Sequence, residues 1–471
     1  MTTATPPVSA TASGNQRLGG AFHRFWGAGL FTNLADGMIL VALPLIAVTL
    51  TQDPLLVAGL TATRFLPWLL LAPLSGVLLD RVHRMRAMVV SNTVAALVMV
   101  ALILTLVTGN LTIWALYAAM FALICCETVT DPANRLAVVQ LVPARLLDRA
   151  NSRVEGGRLV AQDCLGGPVA GFLFAAGAVA PLLGIAGSYV LCVALLCAVP
   201  LVWRRSGPEH KDADAGGETE SAGSEGFWRS TGEGFRQVFG DRILRGNMLC
   251  NAGMMVGGNM GGAVMVLYAQ QDLGVPAVFF GVFMMSMAIG GLGGALAGDR
   301  LITRFGRRAV VLGGYLGMAA CFAGVALSVA PYTAFVLLTG AGFFMVVSNI
   351  AASPYYQTVV PDHVRGRIAG VSRMIGWGVT PVGALAGGVL GRIDLALPFL
   401  VGGVLMVVTA LLARRVVTET ARRVDLRLTE MNEAASTGEE DPETGTEERA
   451  GETGDEATGF AGEKTAEGRQ R

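Results

Sequence analysis

Charged side chains are scarce in this sequence: Asp, Glu, Lys and Arg make up 15% of its 471 residues, against roughly 25% in an average soluble domain. Hydrophobic side chains make up 53%, and the mean hydropathy is +0.55. This composition excludes an ordinary soluble protein and indicates an integral membrane protein. The formal net charge of zero averages over segregated parts of the chain, so it gives no indication of a nucleic-acid partner.

Residue types that build catalytic and metal sites are few or poorly spaced. Lys211 and Lys464 are the only lysines, and neither lies in a phosphate-binding loop, which excludes an ATP-driven motor within the chain. The four histidines are scattered without the spacing of metal ligands, and the seven cysteines contain no CxxC pair. We therefore expect a protein that is not an enzyme and that holds neither a metal ion nor a cofactor.

Apolar stretches of about 20 residues recur along the chain, each long enough to cross a hydrocarbon core of ~30 Å as a helix. Residues 1–24 lack the apolar core of a cleavable signal peptide, so the first span must direct the chain to the membrane. The predicted spans cover residues 26–50, 55–79, 87–108, 111–134, 156–179, 182–203, 247–269, 276–298, 309–330, 333–359, 368–391 and 395–416.

Arginine is unevenly distributed between the two sides of these spans. The loops that follow odd-numbered spans contain a single basic residue, Arg392. The loops that follow even-numbered spans contain most of the others, among them Arg84, Arg145 and Arg308. By the positive-inside rule the even-numbered loops are cytoplasmic, and so are both termini.

Polar segments divide the spans into two sets of six. The linker and the C-terminal tail are too polar to bury, and we expect them to be disordered except for a short interfacial helix within the linker. The predicted organisation is an N-terminal cytoplasmic tail (1–24), a six-helix bundle (25–203), a cytoplasmic linker (204–246), a second six-helix bundle (247–417) and an acidic cytoplasmic tail (418–471).

A loop with an acid followed by a basic cluster occurs once in each half. "GVLLDRVHRMR" at 76–86 lies between spans two and three, and "GDRLITRFGRR" at 298–308 lies between spans eight and nine. Membrane topology alone accounts for the arginines but not for the acids. The equivalent positions indicate an internal duplication. The residues concerned are Gly76, Asp80, Arg81 and Arg84 in the first copy and Asp299, Arg300, Gly306 and Arg307 in the second.

These loops resemble the loop signature of the major facilitator superfamily, and the likeness extends over residues 25–416. The resemblance implies an all-α integral membrane fold of twelve transmembrane helices, in two six-helix bundles related by pseudo-two-fold symmetry. It also implies that Asp80 engages the positive end of a facing helix and that Arg81 reaches a carboxylate on span four, so that the loop latches one face shut. Asp299 and Arg300 would form the second copy of this device.

Longer segments resemble one branch of that superfamily, the enterobactin-type siderophore exporters and macrolide-efflux proteins. These segments are residues 131–173 and 355–391, and the first contains "GGPVAGF", which is similar to the antiporter motif of the superfamily. Gly167 and Gly171 lie one helical turn apart, which allows a neighbouring helix to approach closely, and Pro168 bends its helix. The alternative is a packing seam without a role in transport.

Ionisable residues inside a membrane span are expensive and usually face a cavity or a partner, and five stand out here. They are Asp36, Arg64, Glu127, Asp131 and Asp163. We interpret them as the residues that bind protons and line the substrate cavity. All five are in the first half of the chain, which predicts ion coupling there and much of the ligand-facing surface in the second half.

Structural roles for the same residues stay open. Asp36 could pair with Arg64 as a static brace, and Asp131 could form a helix-end ion pair with Arg135. Asp163 could be a structural partner for Arg158 or for the loop below Asp80. Glu127 has no basic neighbour three or four positions away. An unpaired buried carboxylate favours its protonated form, which suits it to exchange protons near neutral pH.

We expect a secondary transporter that exports an amphipathic small molecule, such as a drug, an antibiotic or a siderophore-like natural product, in exchange for protons by alternating access. Two alternatives stay open. The protein could be an importer or facilitator of a metabolite, or it could be a sensor or scaffold that transports nothing. The expected partners are the substrate, protons and the lipid bilayer of a bacterial inner or plasma membrane, and the expected state is a monomer. The possible ligand contacts are Phe31, Met255, Asn259, Phe344 and Trp377.

Overall fold

The computed structural model describes residues 18–199, 236, 239–355 and 362–437; within these ranges the backbone alone is described at 72–81, 362–367, 369, 373 and 434–437. The described residues are helical almost throughout and include no β-strand. The predicted interfacial helix in the linker lies largely outside the described residues. The described part of the chain contains twelve membrane helices, numbered here in chain order, which form two sets of six.

The first set is joined by short turns. Its helix α5 is a composite in which two α-helical segments flank a π-helical one. The helices are α1 (Gly20–Leu50), α2 (Pro54–Arg81), α3 (Arg84–Val107), α4 (Ile113–Leu141), α5 (Leu147–Arg158, Leu159–Gly166 and Gly167–Phe174) and α6 (Val179–Cys197).

The second set repeats the order of long helices and short turns. Its last helix is much longer than the hydrocarbon core is thick. The helices are α7 (Arg242–Gln271), α8 (Ala277–Phe305), α9 (Arg307–Val325), α10 (Pro331–Ala352), α11 (Asp362–Gly391) and α12 (Leu397–Thr437).

The arrangement of these helices confirms the predicted all-α fold of two six-helix bundles. Eleven of the described helices are, by length and composition, able to cross a membrane as single segments, and the composite α5 is the twelfth. The bundles meet along two seams, α2 against α11 and α5 against α8. Each seam joins the second helix of one bundle to the fifth helix of the other, which is the pairing that a pseudo-two-fold axis produces.

The turns that follow α1, α3, α7, α9 and α11 lie at one end of the molecule, named here the Asp53 end. Asp53 begins α2: its carboxylate accepts the backbone N–H of Leu55 at 3.0 Å, and Pro54 occupies the first helical position. The opposite end contains the loops rich in arginine and is named the arginine-rich end.

The composite helix α5 changes its winding where the sequence places Pro168. Proline supplies no backbone donor and its ring displaces the preceding turn, and the residues before it, Leu159–Gly166, adopt the wider π-helical form. α5 therefore consists of two α-helical rods joined by a wider segment.

The pair α8 and α10 packs backbone against backbone at a row of glycines. A Cβ atom at Gly290 would meet the carbonyl of Thr339, and one at Gly294 would lie 2.6 Å from the carbonyl oxygen of Phe343. From the other side, a Cβ at Gly342 would meet the backbone of Met287. These three contacts, named here the glycine seam, bring the two helices closer than side chains would allow.

The prediction of a disordered tail from residue 418 is wrong for the residues up to 437, because α12 continues as a helix to Thr437. Val417, Ala421 and Val424 are buried along one face of this extension, at helical spacing. Arg423 also pairs with Glu419 one turn away, at 3.3 Å. At the other terminus, α1 begins at Gly20, several residues before the predicted start of the first span.

Candidate functional site

Asp36, near the middle of α1, is bound from the facing helix α6. The hydroxyl of Tyr189 donates to Asp36 Oδ1 at 2.9 Å, and Tyr189 is only 4% exposed. One turn before Asp36, the Thr32 hydroxyl contacts Asn92 Oδ1 at 3.1 Å and Cys192 Sγ at 2.9 Å. These contacts join α1 to α3 and α6 and hold the aspartate in a fixed orientation inside the N-terminal bundle.

Two carboxylates on α4, those of Glu127 and Asp131, line small spaces beside Asp36. Glu127 lines a small space of about 10 Å³ together with Asp36, Arg64 and Tyr189. A second small space of about 10 Å³ is lined by Asp36, Glu127 and, one turn further along α4, Asp131. The structure thus brings four of the five predicted ionisable residues together around adjoining spaces in one bundle.

Arg64 of α2 is the only basic residue among the described residues that line these spaces. No hydrogen bond and no ion pair within 4.0 Å involves its guanidinium in the described part of the chain, although Asp36 and Glu127 lie within electrostatic reach. Its guanidinium lies 5.6 Å from the ring centroid of the neighbouring Phe65. The predicted static brace between Arg64 and Asp36 is not formed in this conformation.

A larger cavity of about 220 Å³ lies between the two bundles, and Arg64 and Leu40 line both this cavity and the small space beside Glu127. Its wall is apolar apart from Arg64 and two neutral polar residues. The described lining residues are Leu40, Pro44, Val57, Leu60, Thr61, Arg64, Phe65 and Met120 from the first bundle and Asn259, Gly262, Ala263, Met265, Val266, Phe280 and Met284 from the second.

Of the five possible ligand contacts, Asn259 lines the central cavity. Trp377 contacts Trp68 edge to face across the α2–α11 seam, with ring centroids 4.3 Å apart. Phe344 packs inside the second bundle, where its ring would meet a Cβ placed at Gly317. Phe31 packs against the apolar cluster at the arginine-rich end of the first bundle, and Met255 is 39% exposed.

Asp163 lies apart from the other carboxylates, in the π-helical segment of α5. Arg158 Nη1 lies 3.5 Å from Asp163 Oδ2, and Arg158 Nη2 lies 2.8 Å from Glu155 Oε1. The structure therefore includes the contact expected of the alternative role of Asp163, a structural pair with an arginine.

The glycine-proline motif of α5 lies on the α5–α8 seam between the bundles. A Cβ at Gly171 would lie 2.5 Å from the carbonyl oxygen of Val278, and one at Gly167 would lie 3.1 Å from that of Gly281. On its other face, α5 approaches α1 at Gly166, where a Cβ would lie 2.5 Å from the Cα of Gly37. The motif thus allows one helix to contact the backbones of both bundles.

The first copy of the acidic-basic loop is described in part, because at Gly76, Asp80 and Arg81 the backbone alone is described. Arg84 begins α3. In the second copy, Asp299 and Arg300 are exposed near the end of α8, and Gly306 turns the chain with a positive φ of 79°.

Arg307, in the same second copy, binds inside its own bundle. Its Nε donates to Asp425 Oδ1 on the α12 extension at 3.0 Å, and its Nη1 donates to the carbonyl of Ala351 at the end of α10 at 2.7 Å. Arg307 therefore joins α9, α10 and α12 at the arginine-rich end.

At the Asp53 end, four residues that the sequence did not single out as contacts join the two bundles in two pairs. Arg392, in the turn after α11, donates from Nε to Asp53 Oδ1 at 2.8 Å and from its second terminal nitrogen to Asp53 Oδ2. Gln52 and Gln271 also hydrogen-bond across the bundles. The available signal was the position of Arg392, the single basic residue on its side of the predicted spans.

A family model of the Major Facilitator Superfamily matches residues 25–384. The chain belongs to this superfamily. It is therefore a multi-pass membrane transporter; the composition and the long apolar helices independently indicate an integral membrane protein.

Two curated relatives are similar over most of their length. The multidrug efflux pump Tap of Mycolicibacterium fortuitum is 27% identical over 409 residues, which cover 81% of this chain and 93% of Tap. The uncharacterized MFS-type transporter YfiS of Bacillus subtilis is 25% identical over 401 residues, covering 81% of this chain and 89% of YfiS.

Solved structures with the same fold include a bacterial homologue of the iron transporter ferroportin in an inward-facing state, with a TM-score of 0.66 and 18% identity over 86% of this chain and 100% of that one. The nucleoside transporter NupG has a TM-score of 0.63 and 13% identity over 84% of this chain and 99% of its own. At such low identities the likeness concerns the fold alone.

Proposed function

We propose that this transporter exports an amphipathic small molecule in exchange for protons. The observation that carries the proposal is the position of Arg64, which lines both the carboxylate-lined space of the N-terminal bundle and the apolar cavity between the bundles. Protons would then bind at the carboxylates and the ligand would bind in the central cavity, on the two sides of the same arginine. The similarity to the multidrug efflux pump Tap supports export of a drug-like molecule.

The carboxylate cluster supports the proton side of the proposal. Asp36 and Glu127 line one small space with the guanidinium of Arg64. Asp131, one turn along α4, lines the adjoining space with both carboxylates and lies within electrostatic reach of Arg135 and Arg158. Keeping several carboxylates ionised beside one cation inside a membrane is costly. Protonation of at least one of them relieves that cost, so the cluster is suited to take up protons from one side and release them to the other.

Alternating access requires one end of the molecule to be held closed while the other opens. The Asp53 end is held by the Arg392–Asp53 pair and by the close packing of α5 on α8. If the arginine-rich end is cytoplasmic, as the positive-inside rule predicts, this conformation is closed to the outside. To release the substrate outside, the two bundles must then separate from each other at the Asp53 end.

The direct test is proton-coupled flux in proteoliposomes with an imposed pH gradient and an internal pH dye. A panel of macrolides, phenicols, siderophores and cationic dyes is added one compound at a time. We expect at least one compound to move protons through the wild-type protein. Asp36→Asn and Glu127→Gln should each reduce that movement about tenfold or more, because an amide cannot exchange a proton.

Glu430→Gln is the matched control, since Glu430 lies exposed on the α12 extension and pairs only with the neighbouring Arg427 among the contacts described. This variant should move protons at the wild-type rate. Compound flux without proton movement, unchanged in Asp36→Asn and Glu127→Gln, would instead establish a facilitator. Uptake down an inward proton gradient, with compound and protons moving together, would establish an importer.

A further inference from the structure

A third small space, named here the asparagine pocket, lies inside the N-terminal bundle between α1, α4 and the first segment of α5. Its lining includes Trp26, Asn33, Asn134 and Val154, and its volume is about 10 Å³. The lining residues that the structure describes include no charged side chain. Such a volume is room for roughly one water molecule.

Asn134 presents unused hydrogen-bonding capacity to this pocket. Its carbonyl oxygen Oδ1 is buried and accepts no hydrogen bond within the described part of the chain, although buried polar atoms nearly always have a partner. A Cβ atom placed at Gly29, on the facing helix α1, would lie 3.9 Å from Asn134 Nδ2. The amide groups of Asn134 and Asn33 therefore offer acceptors and donors, from two helices, to a water molecule between them.

Polar side chains connect the asparagine pocket to the carboxylates along both helices. Asn33 precedes Asp36 by three positions on α1, and Asn134 follows Asp131 by three positions on α4. The Cβ atoms of residues three apart on a helix are about 5–6 Å from each other, a gap that one water molecule can bridge. Because α1 and α4 run antiparallel, both polar rows lead from the middle of the bundle toward the arginine-rich end.

Asp131 is the carboxylate that lies next to the pocket along α4. It lines the second small space together with Asp36 and Glu127. The other charged groups within electrostatic reach of Asp131 are Arg135 on α4 and Arg158 and Glu155 on α5. Asp131 thus stands between the asparagine pocket on one side and the two deeper carboxylates on the other.

The outer side of the asparagine pocket reaches the surface of the arginine-rich end at Trp26. The indole N–H of Trp26 donates to the backbone carbonyl of Arg153 at 2.9 Å. Arg153 is exposed, and the next residue, Val154, lines the pocket. A single layer of side chains therefore separates the pocket from the solvent.

The central cavity offers a second route between solvent and the carboxylates. Arg64 lines both that cavity and the small space beside Glu127, so a hydrated proton on this route must pass a guanidinium. Like charges repel each other strongly in surroundings of low dielectric constant. The uncharged lining of the asparagine pocket imposes no such barrier, which favours the route inside the bundle.

We propose that protons travel between the carboxylates and the arginine-rich end through the asparagine pocket, carried by water that Asn33 and Asn134 hold in place. The two amides do not titrate and act as positioning residues. A hydronium ion at the surface gives a proton to the pocket water, which passes one of its own to Asp131, and the proton continues to Asp36 or Glu127. The inference rests on the proposed proton exchange and assigns its path.

The test follows proton binding itself and requires no substrate. The full-length protein in lipid nanodiscs, at pH 8, receives a rapid pH drop from laser photolysis of a caged proton, and the infrared band of protonated carboxylic acids is recorded over time. The signal of the site is the part that disappears in the double variant Asp36→Asn, Glu127→Gln. Asn134→Leu keeps a similar size but binds no water, so it should slow this signal about tenfold or more. Asn134→Ser, which keeps a hydroxyl group, should restore most of the rate.

Gly29→Ala and Gly27→Ala are a matched pair on α1. The methyl added at Gly29 would face Asn134 and narrow the pocket without a clash, whereas one at Gly27 would lie 3.6 Å from Leu195 Cδ1 on α6. We expect a several-fold slower signal in Gly29→Ala and the wild-type rate in Gly27→Ala. The pH midpoint of the band should stay at its wild-type value in both, because a path alters the rates of proton uptake and release together.

Three outcomes would overturn the path. They are wild-type rates in both Asn134→Leu and Gly29→Ala, a shifted pH midpoint in Asn134→Leu, which would indicate a structural role, and slowing by Thr61→Val at the wall of the central cavity without slowing by Asn134→Leu. A wild-type protein without any signal that depends on Asp36 and Glu127 would instead refute the proposed proton exchange. Elution of each variant as a single species confirms that it is folded.

Discussion

Arg392 binds the carboxylate of Asp53 with two parallel hydrogen bonds, and this pair joins the turn after α11 to the turn before α2. The geometry is the bidentate one in which arginine recognises carboxylates most strongly. Because each residue belongs to a different bundle, the pair can persist only while the Asp53 end is closed.

Arg392→Gln should therefore shift the transporter toward the state that is open at the Asp53 end. Spin labels at Asn110 and Val329, exposed positions at that end in different bundles, would report the separation in a background without the seven native cysteines. We expect a larger population of long label distances in Arg392→Gln and an unchanged distribution in Arg423→Gln. Identical distance distributions in the wild-type protein, Arg392→Gln and Arg423→Gln would mean that the Arg392–Asp53 pair does not hold the Asp53 end closed.

The same pair predicts how closure depends on pH. The hydrogen bond from Arg392 holds the pKa of Asp53, which lies outside the membrane spans, below its ordinary value. A lowered pKa means that the ionised form stabilises the closed end above the ordinary aspartate value of roughly 4, and that this stabilisation is lost as the pH falls through the lowered value. Between pH 5 and 8 the stabilisation of the closed end by the Arg392–Asp53 pair is therefore constant.

Any pH dependence of transport between pH 5 and 8 must then persist in Asp53→Asn. The measurement is the pH profile of proton-coupled flux in the variant and in the wild-type protein. We expect profiles of the same shape, with a lower rate in the variant. A profile that becomes flat in Asp53→Asn would locate the physiological titration at the Asp53 end rather than at Asp36 and Glu127.

Tyr189→Phe tests whether Asp36 works as a hydrogen-bonded unit with α6. The ring is kept and the bond to Asp36 Oδ1 is lost, so coupled flux should fall several-fold. If the hydroxyl acts only through Asp36, Tyr189→Phe should have no further effect in an Asp36→Asn background. Additive losses in the double variant would show that Tyr189 acts independently of the carboxylate.

Gly281→Ala tests the close packing of the two bundles at the α5–α8 seam. A Cβ at this position would meet the backbone carbonyl of Gly167, which cannot move aside as a side chain can. The cost should be roughly 1–3 kcal/mol, seen as a lower thermal unfolding temperature in detergent. Gly258→Ala is the control, because nothing lies within 4 Å of its added methyl, and it should be as stable as the wild-type protein.

Arg307 offers a comparison between a buried and an exposed partner at the arginine-rich end. Its side chain is 10% exposed, whereas that of Asp425 is 58% exposed. Asp425→Asn should cost at most about 0.5–1 kcal/mol, as surface ion pairs do. Arg307→Gln should cost more, because it also removes the bond to the carbonyl of Ala351 at the end of α10. Equal unfolding temperatures for the two variants would contradict this order.

Much of the architecture could be predicted from the sequence because a membrane imposes simple rules. Each span must be apolar and about 20 residues long, so hydropathy locates it. Helix ends were less predictable. The helical extension of α12 depends on a buried face at Val417, Ala421 and Val424, a pattern that is easily missed in a segment with so many charges.

The candidate site was predictable in its residue types but not in its geometry. Asp36, Arg64 and Glu127 stood out because charges are rare inside spans. Tyr189 did not, since a tyrosine in an apolar span gives no sign of which carboxylate it binds. The pair of Arg392 and Asp53 was missed for another reason: the residues are far apart in sequence, and only the closed conformation brings them together.

The glycine seam between α8 and α10 limits how the second bundle can deform. Where Gly290, Gly294 and Gly342 touch backbone directly, there are no rotamers through which one helix could slide over the other. We therefore expect a displacement of α8 at the α5 contact to carry α10 with it. If the Asp53 end opens as proposed, we expect the two helices to move as one rigid unit and the change in backbone angles to occur at the turns and at the π-helical segment of α5.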